Sequence, residues 1–235
     1  MKIIIFDLDQ TLIDLTSIHD KTVERLFYEF FGIKARLTEI DFGGRSLTEI
    51  FRALGRLKGL NEGLLNRKIP AMIARYEQIF AEAIPSTIEQ YILPGVKDIL
   101  TTLKGGGYFV VMYTGDSPGI IGSVLKKAEL DKYFDLSFSG TEVEKRSDMI
   151  RKAMLQAERV TGHKIHGKDV VVIGDSPRDV EAGKELNTVT IAVATGFYSQ
   201  EVLKESNPDF IFKDLSDNMT IMSAITSGNQ RTHNR

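Results

Sequence analysis

Carboxylates stand directly after short apolar runs at two places in the chain. Asp7 and Asp9 follow Ile3-Ile4-Ile5-Phe6, and Asp175 and Asp179 follow Val170-Val171-Val172-Ile173. A third run, residues 109–113, ends in Thr114-Gly115-Asp116. If these runs are parallel strands of one sheet, their ends meet at its C-terminal edge and four or five carboxylates share a small volume. Like charges that close raise one another's pKa and are tolerated when a cation sits among them. All the donors are oxygens, with no His or Cys beside them, which favours Mg²⁺ over zinc or copper. A phosphate would complete such a site, and the Thr114 hydroxyl, the Gly115 amide and a lysine such as Lys145 are suitable donors to its oxygens. A carboxylate in a dry, charge-compensated site can attack phosphorus while a neighbouring carboxyl protonates the departing alkoxide. Asp7 and Asp9 face the same side if that segment is extended.

Positioning these residues is a matter of strands and helices in alternation. Apolar, β-branched runs at 3–6, 109–113, 136–138, 170–173, 189–193 and 210–212 predict buried parallel strands. Amphipathic segments at 96–104, 118–128, 148–160 and 178–186 predict the helices between them, and the alternation predicts an α/β fold with a doubly wound, Rossmann-like parallel sheet. The rhythm breaks over residues 16–91, where only helical patterns occur, at 21–31, 47–57 and 64–83. This predicts an all-helical domain, 16–91, inserted after the first strand of an α/β core made of 1–15 and 92–226, with 227–235 as a flexible polar tail. Gly105-Gly106-Gly107 follows a helix and precedes a strand, so it is expected to cap and turn rather than to hold phosphate.

Composition bounds the function. The 235 residues carry 30 Lys and Arg against 32 Asp and Glu, a net charge of -2, so no global basic field draws nucleic acid or an anionic membrane. The absence of cysteine excludes disulfides, a thiol nucleophile and a Cys-based zinc site. No apolar run reaches membrane-spanning length and none makes a signal sequence, which predicts a soluble, cytoplasmic protein.

Asp7-Leu8-Asp9-Gln10-Thr11-Leu12, then Thr114-Gly115, Lys145, and Gly174-Asp175-Ser176-Pro177-Arg178-Asp179 resemble the four ordered motifs of the haloacid dehalogenase (HAD) superfamily. The stretch from Asp175 through Ala182-Gly183 to Thr195-Gly196-Phe197 is similar to the branch of phosphoglycolate phosphatases and β-phosphoglucomutases, which carry a helical cap between the first two motifs. The resemblance implies a Mg²⁺-dependent phosphatase acting on a small phosphorylated metabolite, as monomer or homodimer, with no nucleic-acid or membrane partner. It implies Asp7 as nucleophile and metal ligand, Asp9 as general acid and base with its carbonyl on Mg²⁺, Asp175 as third ligand, and Asp179 supporting the metal. Thr114 and Lys145 would hold the phosphoryl group, with Arg146 as the rival cation. Gln10 departs from the family's usual glycine.

In the cap, His19 near the start of the first helix and Arg45 after Gly43-Gly44 are candidate substrate-binding residues; a helix-face His and a surface Arg are the plain alternatives. Asp116 is expected to cap the helix that starts at Pro118, and Arg52, Arg56 and Lys58 to form a solvated face. Three rival functions remain in view. A phosphosugar mutase would pass the aspartyl-phosphate to a sugar hydroxyl, a receiver-type phosphoacceptor would store it, and a non-catalytic binding protein would do neither. A receiver needs an adjacent acidic pair after the first strand and no helical insertion, and Asp9 argues against a hydrolytic dehalogenase.

Overall fold

The computed structural model describes residues 1–141 and 145–227; the predicted tail lies, from residue 228, outside the described residues. The element order is β1 Ile3–Asp7, α1 Thr16–Phe31, α2 Leu47–Leu57, α3 Glu62–Ala83, α4 Val96–Gly105, β2 Phe109–Thr114, α5 Pro118–Lys127, β3 Leu136–Ser139, α6 Arg146–Thr161, β4 Val170–Gly174, α7 Pro177–Glu185, β5 Val189–Val193, α8 Gln200–Glu205, β6 Phe210–Phe212 and α9 Asn218–Ser227. The six strands form one parallel sheet in the order β3-β2-β1-β4-β5-β6. The order reverses between β1 and β4, where a crevice opens at the strands' C-terminal ends.

Each central strand is buried on both faces, which is why its sequence is continuously apolar rather than alternating. Alternate residues serve opposite layers. Ile4 and Phe6 of β1 join Val110, Met112, Val171 and Ile173 beneath α4, α5 and α9. Ile3 and Ile5 join Val111, Tyr113 and Val172 beneath α6, whose Met149, Ile150, Ala153 and Ala157 fill that face. The register sets Asp7 beside Tyr113 and Phe6 beside Ile173, so the polar residues that end β1, β2 and β4 emerge together.

Helices α1 to α3 leave the sheet after β1 and form an all-helical insertion, with Phe27, Phe51, Tyr76 and Phe80 buried among them. The two connections to this insertion run side by side: the Asp14 amide donates to the Tyr91 carbonyl at 2.9 Å, the Leu93 amide to the Leu12 carbonyl at 3.0 Å, and Ile13 and Ile92 form an antiparallel bridge. Among the described residues no helix is long and apolar enough to cross a membrane.

Candidate active site

Asp7 ends β1 and is 4% exposed. The guanidinium of Arg146, the first residue of α6, lies on it, Nη2 donating to Asp7 Oδ1 at 2.5 Å. The same guanidinium donates through Nε to Asp179 Oδ1 at 2.7 Å and through Nη1 to the Gly44 carbonyl at 3.1 Å, and it rests 4.6 Å over the Tyr113 ring. Asp179 also accepts from the Tyr113 hydroxyl and, at Oδ2, from the Ser176 amide and hydroxyl at 3.1 and 2.6 Å. Ser176-Pro177-Arg178-Asp179 is therefore a capping box that starts α7, with Pro177 at its first position. One carboxylate thus both caps a helix and braces the arginine on Asp7.

Asp175 is buried at the end of β4, and Thr11 Oγ1 reaches its Oδ1 at 3.4 Å. Carboxylate oxygens of Asp7, Asp175 and Asp179 lie within 4.8 Å of one another. Burial pushes the Asp7 carboxyl up to about 8 against the pull of Arg146, and burial and the Asp7 charge push Asp175 well above the ordinary range. A buried set of hard oxygen donors with one guanidinium for counter-charge is the environment that a divalent cation such as Mg²⁺ relieves. The residues fit that ion.

The second carboxylate of the pair has different surroundings. Asp9 accepts from Thr114 Oγ1 at 3.3 Å, and its Oδ1 lies 3.3 Å from His19 Nε2. His19 is buried on α1, its Nδ1 2.6 Å from the Tyr76 hydroxyl of α3. Burial opposes its charge, but Asp116 and Asp9 prevail and raise its pKa to about 9. Burial likewise acts to raise Asp9, and His19 outweighs it, so this carboxyl sits below its ordinary value.

The loop before α2 closes over this floor. The Leu47 amide donates to the Gly115 carbonyl at 3.1 Å, and a Cβ on Gly115 would lie 2.2 Å from the Arg45 carbonyl, so this contact requires glycine. Opposite, a Cβ on Gly196 would meet Asp175 Oδ2 at 1.8 Å. One pocket is bordered by Asp7, Asp9, His19, Arg45, Thr114, Gly115, Asp116, Arg146 and Asp175.

The family model for haloacid dehalogenase-like hydrolases matches residues 4–193, from β1 to β5, and so includes every one of these residues. The chain belongs to the haloacid dehalogenase-like hydrolases. Over 245 residues it is 24% identical to the phosphoglycolate phosphatase of Escherichia coli strain K12, covering 97% of this chain and 95% of that one. Its fold is similar to that of β-phosphoglucomutase from Clostridium difficile (TM-score 0.75, 17% identity, 97% and 98% of the two chains) and of a hydrolase from Pseudomonas syringae (TM-score 0.73, 20% identity, 96% and 99%).

Within this hydrolase the structure brings together Asp7, Asp9, Thr114, Gly115, Asp175, Asp179 and His19. Arg45 borders the pocket, but its Nε donates to the Asp41 carbonyl at 2.5 Å. Lys145 is exposed at the N-cap of α6, and it is Arg146 that lies on Asp7. The expected cap role of Asp116 needs correction: Ser117 is the N-cap of α5, and the Asp116 carboxylate turns inward, 3.8 Å from His19 Nε2. Arg52, Arg56 and Lys58 bond Asn66, Glu62 and Glu39 away from the pocket. Gln10 takes the left-handed conformation (φ 59°), which costs a non-glycine residue roughly 1–2 kcal/mol. Its Nε2 donates to Thr16 Oγ1 at 2.7 Å and its carbonyl accepts from Thr195 Oγ1 at 2.6 Å, which offsets that cost. Tyr76 and Tyr113 went unnoticed in the sequence because each reads as core, and only their hydroxyls, turned to His19 and Asp179, show otherwise.

Proposed function

We propose that this chain is a Mg²⁺-dependent phosphatase that hydrolyses a small phosphomonoester through an aspartyl-phosphate on Asp7. The observation that carries this is the contrast between two carboxylates two residues apart: Asp7 lies under the Arg146 guanidinium, and Asp9 under the His19 imidazole. Environments that push two acids apart assign them different roles. Asp7, Asp175 and the backbone carbonyl of Asp9 would hold Mg²⁺, which when bound supplies the positive charge that lets these carboxylates ionise together beside a phosphate. Asp179, its oxygens taken by Arg146, Tyr113 and Ser176, supports the site by fixing Arg146.

Arg146, Thr114 and the Gly115 amide bind and orient the phosphoryl oxygens. An Asp7 oxygen attacks phosphorus, the bond to the leaving oxygen breaks, and Asp9 relays to that oxygen the proton held by the charged His19 beside it. In the second half Asp9 takes a proton from the water that cleaves the aspartyl-phosphate and returns it to His19. Residues 16–91 serve as a cap that excludes bulk water, moving about the paired connections at 12–14 and 91–93. Phosphoglycolate and sugar phosphates are the substrates that the relatives' names suggest. The His19 contact to Asp9 also keeps a phosphosugar mutase in view, since the same acid and base could activate a sugar hydroxyl.

Phosphate release with and without Mg²⁺, across phosphoglycolate, hexose and triose phosphates and nucleotides, tests the function. Asp7→Asn is expected to lose release by about 10³-fold or more while keeping the fold. Near-native activity of that variant would remove Asp7 as nucleophile. Turnover only in the presence of a bisphosphosugar would select the mutase.

A further inference from the structure

Strand β2 is apolar from Phe109 to Met112, and its one phenol stands at Tyr113, fully buried and beside Asp7 in the register. For packing alone a Val or Leu would serve there, as Val110 and Val111 do earlier in the strand. A buried phenol brings a hydroxyl that needs a partner. That partner is Asp179 Oδ1, the same oxygen that accepts from Arg146 Nε at 2.7 Å. The Tyr113 ring lies against the guanidinium, its centroid 4.6 Å from Cζ. Tyr113 therefore holds Arg146 twice, by its face through the ring and by its edge through Asp179. The stack counts for more here than at a surface, because the Arg146 side chain is only 9% exposed.

The guanidinium's other nitrogens are where the chemistry lies, Nη2 on Asp7 at 2.5 Å and Nη1 on the Gly44 carbonyl at 3.1 Å. Arg146 reaches them on a long side chain whose torsions are costly to order. A plane fixed by a ring removes the rotation that would carry those nitrogens away from the nucleophile. Tyr113 itself stands outside the lining of the pocket, so any effect it has on turnover passes through its neighbours.

We propose that Tyr113 is a positioning residue for phosphoryl transfer: its ring, and its hydroxyl through Asp179, fix the plane of the Arg146 guanidinium over Asp7, so the site selects a planar guanidinium rather than an ammonium as its phosphoryl-binding cation. This rests on the phosphatase reading.

The test is a double-mutant cycle on kcat/KM for Mg²⁺-dependent phosphate release from the phosphomonoester that wild type turns over best. With Arg146 present, Tyr113→Phe is expected to lose about 3- to 10-fold and Tyr113→Leu about 10- to 50-fold. In an Arg146→Ala background each should cost less than about 2-fold, because no guanidinium remains to be positioned. Arg146→Ala also opens a gap over the ring, and added methylguanidinium is expected to restore about 10-fold more activity than methylammonium at equal concentration. That preference should survive Tyr113→Phe and vanish in Tyr113→Leu. A ring that merely fills the core would cost the same with and without Arg146 and would leave the two cations equal. Additive losses, equal rescue by the two cations, or no rescue by methylguanidinium would overturn the proposal. If Tyr113→Leu does not fold, the Tyr113→Phe cycle and the rescue of Arg146→Ala, which keep the ring, decide alone. Release by wild type with any of those overturning results sinks this inference only, whereas no release from any phosphomonoester sinks the phosphatase reading with it.

Discussion

At the scale of single residues, two adjacent cations separate sharply. Lys145 sits in extended backbone outside α6, whereas Arg146 begins the helix and projects a planar guanidinium whose three nitrogens meet Asp179, Gly44 and Asp7. A lysine ammonium cannot span that fork. Arg146→Ala is expected to lower kcat/KM for phosphate release by about 100-fold or more, and Lys145→Ala by less than about 3-fold, in parallel steady-state assays. His19 carries a second consequence. Its pKa in the folded chain, about 9, lies above the ordinary 6.5, so the folded state binds the extra proton between those values. The stability this contributes is complete below about pH 6.5 and is lost as pH rises through about 9. Urea midpoints with chelator present should fall between pH 6.5 and 9.5, and His19→Gln should flatten that fall; an unchanged slope would mean that His19 is neutral in the fold.

At the scale of elements, the loop before α2 is clasped to the core by side chains outside the chemistry. Arg178, one residue before Asp179, donates to Asp41 Oδ2 at 2.7 Å and to the Gly43 carbonyl at 2.6 Å, the Tyr198 hydroxyl bonds Asp41, and Phe42 lies against Phe197 with ring centroids 5.6 Å apart. The ion pair is half-exposed and worth up to about 1 kcal/mol. Arg178→Ala is therefore expected to raise KM by only about 2- to 5-fold, while amide exchange at residues 41–46 quickens. Unchanged exchange there would show that Arg146 and the Gly115 contact hold the loop unaided.

At the scale of the whole molecule, the fold gathers Asp7, Asp175 and Asp179 from two strand ends and a helix start into one buried cluster, at a cost in stability. Mg²⁺ should repay it: saturation at 100 times Kd adds about 2.7 kcal/mol, or roughly 5–10 °C in Tm for a chain of this size. Asp175→Asn should raise the metal-free Tm, because an amide avoids the cost of burying a carboxyl whose pKa is pushed up, and should abolish the Mg²⁺ response. Scanning calorimetry of both proteins in chelator and in Mg²⁺ checks this, and an equal Mg²⁺ response in the variant would place the ion elsewhere.

Most of the architecture was legible in the chain because strand burial on both faces writes itself as unbroken apolar runs: residues 189–193 and 210–212 are strands at the predicted bounds, and α2 spans the predicted 47–57. Helices α8 and α9 were not foreseen, since six residues are too few to show a helical period and α9 carries hydroxyls but no charge to mark its exposed side. Carboxylates directly after those runs were legible for the same reason, because parallel strands deliver their ends to one edge. Sequence alone thus determined the sheet, the helical insertion and the acidic edge. The tertiary structure alone decided which of two neighbouring cations reaches Asp7, that Asp116 turns inward rather than capping, and that Tyr76 and Tyr113 serve polar partners. Those outcomes depend on side-chain direction and on contacts between residues far apart in the chain, such as Arg146 with Gly44, and local pattern carries no record of either.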